Sequence, residues 1–152
     1  MKLIFVAILA VILGGPAVSQ GLQTAVIADE LVLDVRQASD VTLEQFLWKN
    51  RLIVVFADNA LNPAFRTQMD LFNARVGALL ERDVVVITDT DPATPSDIRI
   101  ALRPRGFGFV LIDKDGVIKL RKPSPWDVRE ISRSIDKTPL RQQEVRDARE
   151  LQ

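Results

Sequence analysis

Two apolar runs dominate this chain, Leu52-Ile53-Val54-Val55-Phe56-Ala57 and Val84-Val85-Val86-Ile87-Thr88. Continuous β-branched and aromatic runs of this length suit strands covered on both faces, the condition of a parallel sheet. Between them Phe65, Met69, Phe72, Val76 and Leu79 recur at helical spacing, which predicts one helix lying on the sheet. That helix has a strong start. Asn62 can accept a bond from a free backbone N–H, and Pro63 lacks the donor that would go unpaired at the first helical position. A strand, a covering helix and a second buried strand make a right-handed βαβ unit, which the rest of the chain must extend.

Downstream, Asp89-Thr90-Asp91-Pro92 leaves the second strand. Thr94-Pro95-Ser96-Asp97 repeats the cap-and-proline pattern and predicts a short helix that stops at Pro104. Phe107 to Ile112 and Val117 to Leu120 flank Asp113-Lys114-Asp115-Gly116, whose glycine can take positive φ, so the two runs form an antiparallel hairpin. Ser124-Pro125-Trp126-Asp127 is a third such helix start, with Val128, Ile131 and Ile135 as a narrow apolar stripe behind it. From Lys137 onward the chain is charged, with Leu140, Val145 and Leu151 too sparse to anchor it, and a partly exposed helical tail is expected over 138–152. Upstream, Thr42-Leu43-Glu44-Gln45 has the form of a capping box; Leu43, Phe46 and Leu47 give a short helix its apolar face, and Trp48 closes it. Gly21 to Gln37 has no clean period and reads as an edge strand or a loosely attached lead-in.

The N-terminus has the form of an export signal. Met1-Lys2 supplies a positive region, Leu3 to Leu13 an unbroken apolar run too short to span a bilayer comfortably, and Ala17-Val18-Ser19 a small-x-small cleavage site. A signal peptide over 1–19 is therefore expected, with a lead-in at 20–39, one domain at 40–137 and the tail beyond. The mature protein is expected in the periplasm or outside the cell, with no stable membrane anchor after cleavage. The charges balance at 20 basic and 20 acidic side chains. Without Met1 to Ser19, whose only charged side chain is Lys2, 19 basic face 20 acidic, which leaves no nucleic-acid footprint. The chain has no cysteine and no histidine. Ser-His and Cys-His mechanisms are closed to it acting alone, and so is any disulfide or thiolate metal site.

The element order, βαβ then short helix, β-hairpin and helix, resembles the thioredoxin fold over about Leu52 to Ile135: an α/β domain whose central mixed sheet joins a parallel βαβ half to an antiparallel hairpin, with helices on both faces. Asp58-Asn59-Ala60-Leu61-Asn62 stands at the crossing where a thioredoxin carries its paired cysteines, and Gly108 where its cis-proline would fall. Disulfide exchange and peroxidase chemistry are excluded by the first departure. Trp48-Lys49-Asn50-Arg51 leading into Val54-Val55-Phe56-Ala57, Asp89-Thr90-Asp91, Arg103-Pro104-Arg105-Gly106-Phe107, Asp113-Lys114-Asp115-Gly116 and Lys119-Leu120-Arg121 are together similar to a domain-of-unknown-function family. That family occurs in exported bacterial proteins and in vertebrate secreted matrix proteins of sushi-repeat and coiled-coil-domain types. The resemblance implies a secreted thioredoxin-like domain and brings no catalytic residues with it.

Remaining chemistry rests on carboxylates, guanidinium groups and backbone. Ligands of α/β sheets sit beyond the carboxyl ends of the parallel strands, where Asp58, Asp89 and Asp91 fall; converging, they could hold Ca²⁺ or Mg²⁺. The plainer reading is that Asp89 and Asp91 cap turns and that Asp58 pairs with Arg66 or another arginine. A second group is basic: Arg103, Arg105, Lys119, Arg121 and Lys122 suit carboxylate or phosphate, and Asn59, Asn62 and the Pro63 helix start could add donors. Trp126 is read first as packing over the hairpin and second as a ligand platform. The expectation is a non-redox binding or structural module, without a cofactor, for another protein or an extracytoplasmic component. A carboxylate-based, Ca- or Mg-dependent enzyme and a small-anion binder are the alternatives.

Overall fold

The computed structural model describes residues 31–151. The expected signal peptide and the lead-in up to residue 30 lie outside the described residues. Strands β1 (Val35–Gln37), β2 (Arg51–Phe56), β3 (Val84–Asp89), β4 (Gly108–Ile112) and β5 (Ile118–Lys122) form one sheet in the order β1-β3-β2-β4-β5. β3 pairs parallel with β1 and β2, whereas β4 runs antiparallel to β2 and β5 antiparallel to β4. Every residue of β2 and β3 is buried, as strands covered on both faces must be.

The strand period of two splits the core into two layers. On one face Ile53, Val55, Val86, Phe109 and Leu111 pack against helices α1 (Pro63–Asn73), α2 (Val76–Leu80) and α4 (Val128–Asp136) through Phe72, Leu79 and Ile131. On the other Val54, Phe56, Ile87 and Val110 pack against α3 (Asp97–Leu102) through Ile98 and Leu102, with Ala38 beside them. The fold is α/β and thioredoxin-like, and β1 draws part of the expected lead-in into the sheet as its edge.

Several local expectations need correction. The helix expected to run unbroken to Leu79 ends at Asn73 and restarts at Val76, with Arg75 out of helical geometry at φ −145° and ψ 42°. Val76 and Leu79 still join the core, so the break re-aims the second piece without losing its apolar face. Thr42 makes no side-chain cap, and the capping-box segment is only a 3₁₀ turn, Leu43–Phe46. Trp48 does not close that turn against the body: its backbone is left-handed at φ 62° and its side chain is exposed.

The caps of α3 and α4 are Ser96 and Asp127, two and three residues beyond the expected Thr94 and Ser124. In both cases the prolines precede the cap, and the later start lets Ile98 and Val128 enter the core. The hairpin turn holds Gly116 at φ 78°, and an irregularity at Leu111/Ile112 pairs Leu111 with Leu120 and Ile112 with Ile118, so Lys119 is the extra residue of a bulge. The tail forms α5 (Pro139–Glu150), capped by Thr138 and with no buried residue of its own. Charge holds it instead. Glu144 lies 3.1 Å from the buried Arg51 and 2.9 Å from Lys114, while Arg141 reaches Glu81 and Asp136. No helix among the described residues is long and apolar enough to cross a membrane.

Candidate functional site

At the carboxyl end of β2 the chain passes through Asp58, Asn59, Ala60 and Leu61, all exposed, before α1 begins. Asn59 and Asn62 are both occupied locally. Asn59 Oδ1 accepts from the Leu61 N–H at 2.9 Å, and Asn62 Oδ1 accepts from Ala64 at 2.9 Å and Phe65 at 3.3 Å. The first free amides of α1 therefore already have an acceptor, which withdraws them from an external anion.

Asp58, Asp89 and Asp91 do not gather. Asp89 is buried, and its carboxylate lies 2.7 Å from Arg99 Nη2 and accepts from Ser96 Oγ at 2.7 Å. Burial pushes this carboxyl up, but the hydrogen bonds from Arg99 and Ser96 outweigh it and hold it below its ordinary value. The same guanidinium donates to the Ala57 and Asp89 carbonyls and stands 5.3 Å from the centre of the Phe56 ring, which ties α3 to the ends of β2 and β3. Asp91 accepts from the Ala93 and Thr94 N–H groups and closes a turn. No cluster of acidic side chains among the described residues could hold a metal ion. Arg99, three positions after its own cap Ser96, is the partner that sequence reasoning missed; only the later helix start places it over Asp89.

The basic residues behave differently. Arg103 ends α3 in a left-handed conformation at φ 49°, and Gly106 at φ 63° turns the chain into β4. Between this turn and the end of β5 lies a groove of about 240 Å³. Arg103, Arg105, Arg121 and Lys122 line it together with Pro104 and Phe107, and no carboxylate does. Gly108 lies at its floor, where a Cβ would stand 3.4 Å from Pro104 Cβ and 3.7 Å from the Phe56 ring. Arg121 donates to the Leu102 carbonyl at 2.7 Å, joining β5 to the end of α3.

Lys119 is not part of this group. It lies 3.5 Å from Asp115 and 3.8 Å from Asp113, at the far end of β5. Trp126 packs. Its ring meets Phe109 edge-on at 6.1 Å, and its backbone exchanges two hydrogen bonds with the buried Gln68 side chain. It meets the groove through Phe109 and through Lys122, whose ammonium stands 4.7 Å from the ring centre. Pro104 and Phe107 are groove residues that only the folded turn discloses.

Residues 42–144 match the family described as "Domain of unknown function (DUF4174)". The chain belongs to the DUF4174 family. Among solved structures this DUF4174 chain is similar to chloroplastic thioredoxin z, with a TM-score of 0.50 and 22% identity over 70% of this chain and 98% of that one. It is also similar to the reduced 2-Cys peroxiredoxin of Plasmodium vivax, with a TM-score of 0.48 and 20% identity over 63% of this chain and 81% of that one. StoA from Bacillus subtilis aligns over 56% of this chain and 81% of its own, with a TM-score of 0.37 and 13% identity. The thioredoxin likeness speaks for the fold alone. The DUF4174 chain keeps that fold with Asp58 to Asn62 at the crossing and no cysteine anywhere.

Proposed function

We propose that this DUF4174 domain is a non-redox binding module of the periplasm or cell exterior, and that it holds an acidic segment of another protein in the groove between the Arg103–Phe107 turn and β5. One observation carries the reading: Arg103, Arg105, Arg121 and Lys122 edge a groove with apolar walls and no carboxylate. Arginine forks favour carboxylates over other polar groups, and apolar walls favour a ligand with side chains to bury over a bare ion. The site lies beyond the carboxyl end of β2, where α/β sheets bind ligands, yet it asks nothing of the emptied crossing. Export is supported by the leader-like run from Met1 to Ser19.

The test is fluorescence anisotropy with labelled peptides that mix aspartate or glutamate with aromatic residues, beside inorganic phosphate and acetate as competitors. Micromolar peptide binding that weakens with salt and is lost in Arg105→Glu supports the reading. Equal competition by phosphate or acetate would make the groove a small-anion site, and binding unchanged in Arg105→Glu would remove the groove altogether.

A further inference from the structure

At the opposite end of the sheet, near the start of β2, an apolar hollow and an exposed indole stand side by side. The hollow has a volume of about 280 Å³; Leu43, Phe46, Leu52 and Ile112 give it an apolar lining, on which the polar Glu44, Asn50, Asp113 and Lys114 also lie. Trp48, beside Leu47 of its lining, is 67% exposed; Leu47, Val117 and Ile118 are exposed too, the last two just after the turn whose Lys114 carbonyl accepts the Trp48 N–H.

The backbone directs this indole outward. Trp48 holds φ 62°, a conformation that a bulky L-residue rarely adopts, and its N–H donates to the Lys114 carbonyl at 2.7 Å. Leu47 supports the same turn from beneath, since a Cβ at Gly116 would lie 3.1 Å from its Cδ1. Strain of this kind persists only where the surroundings over-determine it, and it clusters at functional sites. A lone tryptophan displayed on a left-handed residue, beside a hollow of suitable size that it does not enter, is half of an interface.

We infer that the other half is a second copy of this chain. In an isologous two-fold contact each surface meets itself, so a projection and a hollow that adjoin on one protomer each find their complement on the partner. Trp48 of each protomer seats in the hollow of the other, with Leu47, Val117 and Ile118 closing around it. Charge agrees with this pairing. Lys49 follows the projecting indole and Glu44 lies at the hollow, and among the described residues neither has an ion-pair partner within its own chain. Seating Trp48 brings Lys49 of one protomer to Glu44 of the other, twice by symmetry. The aromatic anchor is the kind of residue that dominates interface energetics. The patch is small, so the dimer is a weak, concentration-dependent one. It leaves the basic groove free, because that groove lies at the other end of β2.

Sedimentation velocity of the purified protein from about 1 μM to about 500 μM spans the range that matters for a micromolar contact. The expected result is a monomer that converts to a dimer and no further, while tryptophan emission moves to shorter wavelength in step. Trp48→Ala is expected to remain monomeric with an unchanged melting temperature, since the side chain it removes is exposed. Glu44→Lys and Lys49→Glu are each expected to weaken association by at least about tenfold, and the two together to restore it. A wild-type chain that stays monomeric, a Trp48→Ala chain that dimerises as before, growth beyond the dimer, or a double charge variant as weak as either single would each overturn the inference.

Discussion

Arg51 offers the sharpest test of what holds this domain together. It opens β2, is fully buried, and places Nε 2.9 Å from Asp113 Oδ1 and Nη1 3.1 Å from Glu144 Oε2 and from the Arg82 carbonyl. The Asp113 side chain is also buried. The pair is close but poorly aligned: Arg51 Nε and Nη2 and Asp113 Oδ2 have no hydrogen-bond partner of good geometry among the described residues. Two consequences follow from that geometry. Removing the cation alone strands a buried carboxylate whose nearest other cation, Lys119, is 3.8 Å away, and such a loss costs about 3–5 kcal/mol. Removing both charges should cost far less, because an imperfectly bonded buried pair barely outweighs its own desolvation.

Arg51→Met is therefore expected to lower unfolding free energy by about 3–5 kcal/mol, a large share of the roughly 5–15 kcal/mol typical of a domain. At roughly 4 °C per kcal/mol, the melting temperature falls by about 12–20 °C. Arg51→Met with Asp113→Leu should regain most of that. Urea unfolding of both single variants and the double, followed by far-UV circular dichroism, closes a mutant cycle. A loss below about 1 kcal/mol in Arg51→Met, or a double variant as weak as the sum of the singles, would refute the buried-pair account.

Acid should weaken the fold in a defined window. Glu144 resembles Asp89: burial pushes its carboxyl up, yet hydrogen bonds from Lys114 and Arg51 hold it below its ordinary value. Groups depressed in the folded state contribute stability that is full above their unfolded values, about 3.9 for Asp and 4.3 for Glu, and lost as pH falls through the folded values. The urea midpoint should thus hold steady at neutral pH and drop below about pH 4.5; an unchanged midpoint down to about pH 3 would contradict both shifts. Adding Ca²⁺ or Mg²⁺ should leave the melting temperature unmoved, because Asp89 is committed to Arg99 and Ser96; a rise would show that a metal binds the folded state. Asn62→Ala, which strips the acceptor from two α1 amides, should cost about 1 kcal/mol in the same unfolding assay.

Strands β2 and β3, the hairpin and the Asn62–Pro63 helix start were legible because each depends on neighbours in the chain. Burial of β2 and β3 follows from their composition, and the cap at Asn62 from one side chain and the two amides after it. Positions that answer to distant neighbours were not legible. Thr94-Pro95 and Ser124-Pro125 carry good local signals, but the helices start later so that Ile98 and Val128 can reach the core. Arg51 reads locally as a charged residue leading into a strand, and α5 as a loose tail. Each is secured by an opposite charge far along the chain, the Asp113 carboxylate for the first and the Lys114 and Arg51 cations, which meet Glu144, for the second.

The candidate residues divide along the same line. Sequence alone determined the chemistry that this chain does not have, since a protein without cysteine or histidine carries no thiol or imidazole wherever its side chains fall. It also determined the βαβ core, because hydrophobic period and turn residues act over a few positions. Which charges meet was decided only in three dimensions. Asp89 is drawn to Arg99, Lys119 to the turn carboxylates, and Arg103, Arg105, Arg121 and Lys122 to one groove. A charge interacts through space with whatever the packed sheet and helices bring near it, and that neighbourhood is not written in the order of residues along the chain.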